Sequence, residues 1–148
     1  MNIVYNDTKR DLPFEQLYNL FVAVGWSDGG PLSEEMKEGF MRPWIHSTLV
    51  ISAWDNGRLV GAVRVLSDTI FRSVIYDLFV LPEYQDKGIG KELVRRCIEK
   101  FPNSEWLVGT KKGISGFYEK IGFTRADGGD DVFLSIPCKL FTHNVTPK

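Results

Sequence analysis

The sequence predicts an α+β domain in α/β/α layers: a mixed, mostly antiparallel central sheet with helices on both faces. Three observations point there. A β-hairpin lies in the first half of the chain, so the leading strands are antiparallel neighbours. Two strand-then-helix units follow it, the connection that parallel strands need. The 148 residues are 43% hydrophobic and 25% charged, enough for one ordinary core, so residues 1–148 are expected to form a single domain.

The elements follow in order. "IVYN" reads as a first strand. Asp11 caps a helix with Pro13 in its first turn, and Phe14, Leu17, Tyr18, Phe21 and Val22 share one face until Gly25 ends it. Ser33 starts a second helix with Glu34, Glu35 and Met36, which Gly39 and Pro43 are expected to keep short. "STLVISAW" and "LVGAVRVLSD" are the arms of a hairpin turning at Asp55, Asn56 and Gly57. "SVIYDLFVL" is a further apolar strand. Ile89, Leu93, Val94, Cys97, Ile98 and Phe101 recur at helical spacing. "EWLVGT" is a short strand, "ISGFYEKIGF" a helix closed by Gly122, and "DVFLSIP" a last strand.

Composition excludes several functions. A net charge of −1 offers no positive field for nucleic acid or an anionic membrane surface. No apolar run approaches the ~20 residues of a membrane span, and the N-terminus lacks the apolar core of a signal peptide. Cys97 and Cys138 are distant and form no CxxC, so they read as reduced thiols of a cytoplasmic protein. Two Cys and two His, scattered, have no metal-ligand spacing.

The stretch "VLPEYQDKGIGKELV" is the most informative. Gly88 and Gly90 let backbone N–H groups approach a ligand closely, and the helix that follows begins with unpaired N–H groups bearing partial positive charge. Such a turn suits a phosphate or pyrophosphate, with Lys87 and Lys91 at its rim. It is neither known phosphate fingerprint: GxxxxGK[ST] would need Gly where Gln85 stands, and GxGxxG would need Gly where Leu93 stands. An ordinary tight strand-to-helix turn remains the alternative on these residues alone.

Three segments in register carry a resemblance. Gln85, Gly88 and Gly90 fit a [Gln/Arg]-x-x-Gly-x-[Gly/Ala] turn after a strand ending in Pro, "GFYEKIGF" resembles an "FYxxxGF" segment, and "NGRLVGAVRV" resembles a hairpin with Gly after an apolar pair. Together they resemble the GNAT (GCN5-related N-acetyltransferase) family over residues 48–136. A narrower likeness, through "GW", "RPW" and the "SD" after the hairpin, is to the serotonin (arylalkylamine) N-acetyltransferase subgroup.

The family resemblance implies a splayed parallel strand pair that admits the pantetheine arm of acetyl-CoA. The arm pairs with the backbone of Leu78, Phe79 and Val80, as an added strand would. It places the pyrophosphate on the N–H groups of Gln85, Asp86, Lys87, Gly88, Ile89, Gly90 and Lys91. It implies Tyr118 as the acid for the leaving thiolate, against the plain reading of a core aromatic, and a backbone N–H of Phe79 or Val80 as oxyanion donor. Lys111 stands where many members have an Asn that helps hold acetyl-CoA, which weakens the resemblance at that position; with Lys112 it reads as a contact for the CoA phosphates or as a solvated pair, the commoner fate of a charge run.

Asp77 interrupts the apolar run "VIYDLFV". A carboxylate there is costly unless paired, so it reads as a base, a water holder or an ammonium anchor, or else as a bulge residue or the ion-pair partner of Arg64. Trp26 and Trp44 are candidate contacts for the acceptor, by stacking and cation–π attraction, with packing of the helices on the sheet as the alternative. The expected reaction is direct transfer from acetyl-CoA to a primary amine of a small molecule in a ternary complex. The alternatives are a protein lysine or N-terminal acetyltransferase and a non-catalytic acyl-CoA-binding sensor. The resemblance also allows a homodimer, with "LFTHNVTPK" as a packing segment.

Overall fold

The computed structural model describes residues 1–125 and 136. The expected strand "DVFLSIP" (Ile136 apart), Cys138 and the C-terminal "LFTHNVTPK" lie outside the described residues. The chain falls into two compact units, Met1–Gly109 and Thr110–Lys148.

The first unit is built on one five-stranded sheet whose strands lie in chain order: β1 (Ile3–Asn6), β2 (Leu49–Asp55), β3 (Arg58–Ser67), β4 (Arg72–Val80) and β5 (Glu105–Val108). The pairs β1–β2, β2–β3 and β3–β4 are antiparallel, and β4–β5 is parallel. β2 is buried at five successive positions, as a strand covered on both faces must be. The two helices before the hairpin are α1 (Phe14–Ala23) and α2 (Glu34–Ile45), and α3 (Ile89–Lys100) joins β4 to β5.

α1 and α3 cover opposite faces. The ring of Phe21 on α1 lies 4.4 Å from that of Phe79 on β4, whose partner across the ladder is Ala62. The next residue of β3, Gly61, turns the other way and meets Leu93 and Ile89 of α3. A Cβ on Gly61 would sit 3.3 Å from Leu93 Cδ1 and 3.2 Å from the Phe79 carbonyl oxygen, so glycine permits this approach.

Two expectations about helices are corrected. α1 is capped by Pro13, not by Asp11, and Pro13 makes no side-chain cap bond. α2 runs for 12 residues with Pro43 inside its last turn, rather than stopping short. A proline so near the C-terminal end forfeits a single backbone bond, and the carbonyl its ring crowds belongs to Gly39, where the backbone can yield. Ser33 caps α2 as expected, its Oγ accepting from Met36 N–H at 3.2 Å.

In the second unit, a 3-10 turn (Lys112–Ile114) leads into α4 (Ser115–Glu119). This helix is shorter than "ISGFYEKIGF" suggests, although Gly122 does reverse the chain with φ of +115°. Tyr118 packs its ring against Phe117 and Phe123.

Candidate active site

The parallel ladder between β4 and β5 ends at Ile75 opposite Val108. Just beyond it, Tyr76 is an extra residue: Ile75 faces Val65 and Asp77 faces Arg64, with nothing across from Tyr76. A bulge bends the strand that carries it, and the ladder to β5, which ends at Val108, goes no further. Residues 77–80 keep their β3 partners on one edge, and residues 76–80 have no strand partner on the other among the described residues. Leu78, Phe79 and Val80, the segment expected to receive an amide-bearing arm, lie on that open edge.

The turn after β4 is built for an anion. Gly88 caps α3 in the left-handed region with φ of +82°, and Asp86 is also left-handed at +61°. Among the described residues the backbone N–H groups of residues 86–91 donate to no protein acceptor, while those of Tyr84, Gln85 and Glu92 are bonded. Six consecutive free donors at the positive end of a helix form a cradle for phosphate oxygens. Lys87 and Lys91 are exposed beside them.

Side chains hold this turn in place, and sequence reasoning missed most of them. Gln85 Nε2 donates to the Val80 carbonyl at 3.0 Å, so its amide closes the strand end. The Tyr84 hydroxyl donates to Asp55 Oδ2 at 2.8 Å, tying the turn to the tip of the β2–β3 hairpin. Arg58 reaches Glu83 at 2.9 Å, and the Arg58 and Lys87 cations lie 5.8 Å and 5.9 Å from the Tyr84 ring centroid. The hydrogen bond draws the Asp55 carboxyl below its ordinary range and pushes the Tyr84 phenol up. Only the turn residues of the hairpin were legible beforehand, and nothing marked them as partners of Tyr84.

On the α1 face of the sheet, Asp77 and Arg64 stand directly opposite each other, with Arg64 Nε donating to Asp77 Oδ2 at 2.5 Å. Of the two structural alternatives for Asp77, the ion pair with Arg64 is realised, while the bulge residue is its neighbour Tyr76. The pair shares its face with Phe79, two residues along β4. Trp26 is 64% exposed, and its ring stands 6.2 Å from Phe79. The loop that presents it is fixed by Trp26 N–H bonding to the Phe21 carbonyl and by the Tyr18 hydroxyl, which contacts Ser27 Oγ and the Gly30 carbonyl. Trp44 is different: it is 1% exposed and packs against Phe21, so it is a core residue and offers a ligand no surface.

In the second unit Tyr118 is buried, and its hydroxyl makes no hydrogen bond among the described residues. Burial pushes its pKa up to about 12, which keeps it protonated at neutral pH. Lys111 is exposed, and its carbonyl accepts from Ile114 N–H. Cys97 is buried in the first unit and its thiol is likewise pushed up to about 12, far from a reactive thiolate. Among the described residues no cluster of His, Cys, Asp and Glu is placed to hold a metal ion, and no helix is long and apolar enough to cross a membrane.

Comparison with known proteins agrees with this geometry. The family profile of the acetyltransferase (GNAT) domain matches residues 31–133. The uncharacterized N-acetyltransferase ycf52 of Pyropia yezoensis is 27% identical over 129 residues, spanning 85% of this chain and 73% of that protein. A histone acetyltransferase of Glycine max, TAP1, is 32% identical over 122 residues, spanning 76% of this chain and 52% of that protein. Among solved structures, a GNAT family acetyltransferase from Streptococcus pneumoniae superposes with a TM-score of 0.75 at 25% identity, covering 93% of this chain and 99% of that one. The matched segment takes in α2, the hairpin, the parallel strand pair and the glycine turn, and on that ground the chain belongs to the GNAT family of acetyltransferases.

Proposed function

We propose that this protein transfers an acetyl group from acetyl-CoA to the primary amine of a small molecule, directly and within a ternary complex. GNAT acetyltransferases in general use acetyl-CoA, and one observation supports that donor here. Among the described residues, six N–H groups at residues 86–91 have no protein acceptor, and the strand edge at residues 76–80 just before them has no partner strand. A pyrophosphate fits the first, and a pantetheine amide arm fits the second as an added strand. Lys87 and Lys91 supply positive charge for phosphates; Lys111, which departs from the Asn of many family members, is a further candidate for the same role.

Acetyl-CoA brings an activated acyl carbon, and the protein's own groups manage the charges around it. The acceptor nitrogen bonds to that carbon as the carbon–sulfur bond breaks. The nitrogen loses a proton to water, and the departing thiolate takes one from Tyr118. The role of Tyr118 rests on its place in "FYEKIGF", and its high pKa keeps a proton available for donation. Asp77, paired with Arg64, orders the proton-accepting water rather than acting as the free base. The backbone N–H of Phe79 or Val80 is the proposed oxyanion donor. A cysteine acyl intermediate is disfavoured by the inert, buried Cys97.

The exposed Trp26 beside Phe79 supports an acceptor with an apolar body. The narrower arylalkylamine likeness finds no support in the relatives described above, and the proposal does not use it. A protein acceptor is the second reading, favoured by the histone acetyltransferase among the relatives. The deciding experiment follows thiol release from acetyl-CoA across arylalkylamines, polyamines, amino sugars, amino acids and lysine peptides. Release with a small amine is expected. Release with peptides alone selects the second reading, and none at all, with acetyl-CoA bound, selects a sensor.

A further inference from the structure

We propose that the Arg64–Asp77 pair is a recognition site for the acceptor, and that it selects an amine which also bears a carboxylate: an amino-acid-like zwitterion. The inference rests on the small-amine reading above and narrows it.

The pair is only partly sunk into the sheet. The Arg64 side chain is 18% exposed and that of Asp77 21%. For an ion pair buried to this degree, the cost of desolvating both charges offsets much of their attraction, so stability alone is a poor reason to keep two charges inside an apolar ladder. Its bonding is incomplete in a particular way. Only Arg64 Nε and Asp77 Oδ2 are engaged. Arg64 Nη1 and Nη2 and Asp77 Oδ1 make no hydrogen bond among the described residues. No buried side-chain polar atom there lacks a partner, so these three atoms reach solvent.

The pair therefore presents, side by side, two guanidinium donors and a carboxylate acceptor. The donors match a carboxylate held bidentately, and the acceptor matches an ammonium. The Tyr76 ring, 5.4 Å from the guanidinium carbon, covers a face of the guanidinium and limits its swing. The whole group lies on the α1 face with Phe79 and the exposed Trp26, and beside the bulge at which β4 leaves β5. An amine without an anionic group would satisfy Asp77 and leave the guanidinium donors facing it unmatched.

Matched acceptors test this: tryptophan with tryptamine, phenylalanine with phenethylamine, and lysine with cadaverine. Each pair differs only in the carboxylate. Thiol release from acetyl-CoA by the full-length protein gives kcat/KM for each member. The expected result is a preference of about tenfold or more for the carboxylate-bearing member of at least one pair, the worth of a charge-assisted bidentate contact. Arg64→Gln should bring that ratio to near one, and Arg64→Lys, which keeps the charge without the fork, to an intermediate value. The ratio compares two substrates on the same enzyme sample, so partial loss of folded protein does not alter it. Equal use of both members, a preference for the decarboxylated amine, or a preference that survives Arg64→Gln or Arg64→Lys undiminished overturns the inference while leaving the small-amine reading intact. No turnover of any member, with acetyl-CoA bound as measured by calorimetry, overturns the inference, and the small-amine reading falls with it when the polyamines and amino sugars also fail.

Discussion

Burial keeps two acidic hydrogens in place well into alkaline solution. The Cys97 thiol rises from 9.0, and the Tyr118 phenol from 10.0, each to about 12. Both folded values lie above the unfolded ones. The stability they contribute is fully present below pH 9.0 and is lost as pH climbs towards about 12. The urea midpoint should thus hold between pH 7 and 8 and fall by pH 11, and Cys97 should resist alkylation at pH 8 until the protein is unfolded. If Tyr118 is the acid, Tyr118→Phe should lower kcat by about a hundredfold with acetyl-CoA affinity nearly unchanged. Unchanged turnover would remove the residue from the mechanism. Single residues were unevenly legible. An acid in an apolar strand announced Asp77, and its strand partner Arg64 was already in view. Trp26 and Trp44 looked alike as tryptophans near helix ends, and only packing, with one in solvent and one in the core, separates them.

At the scale of elements, the turn between β4 and α3 depends on the hairpin that braces it. Gly90→Glu should abolish acetyl-CoA binding, because it sets a carboxylate among donors meant for phosphate; normal affinity in a calorimetric titration would refute the cradle. Asp55→Asn and Tyr84→Phe should raise the KM for acetyl-CoA several-fold with kcat little changed, since each loosens the brace and touches no reacting atom. Equal KM values in wild type and both variants would show that the turn holds its own shape. Gly61→Ala should cost about 1–3 kcal/mol of stability, as α3 is pushed off the sheet. Helix starts and the glycine turn could be read from local residue types. The full length of α2 could not, because Pro43 and Gly39 each signal a stop, and only their spacing of four makes them compatible. The bulge at Tyr76 was also hidden, since a bulge is a relation between two strands and leaves no mark within one.

At the scale of the whole molecule, acetyl-CoA at about a hundred times its Kd should stabilise the fold by about 2.7 kcal/mol and raise Tm by about 5–10 °C. A flat thermal scan would contradict the donor assignment. The layered architecture was legible because hairpins and strand–helix units leave different periodicities along the chain. The strand order has a further consequence. Because β1 to β5 lie side by side in the order of the chain, each strand leaving the ribosome meets a neighbour already made. Only β5 must wait for a helix to cross over before it can dock. Among the described strands, assembly during synthesis can thus proceed from β1 to β5 without a strand threading between two others, and β5, the last of these five to dock, joins the strand from which the glycine turn departs.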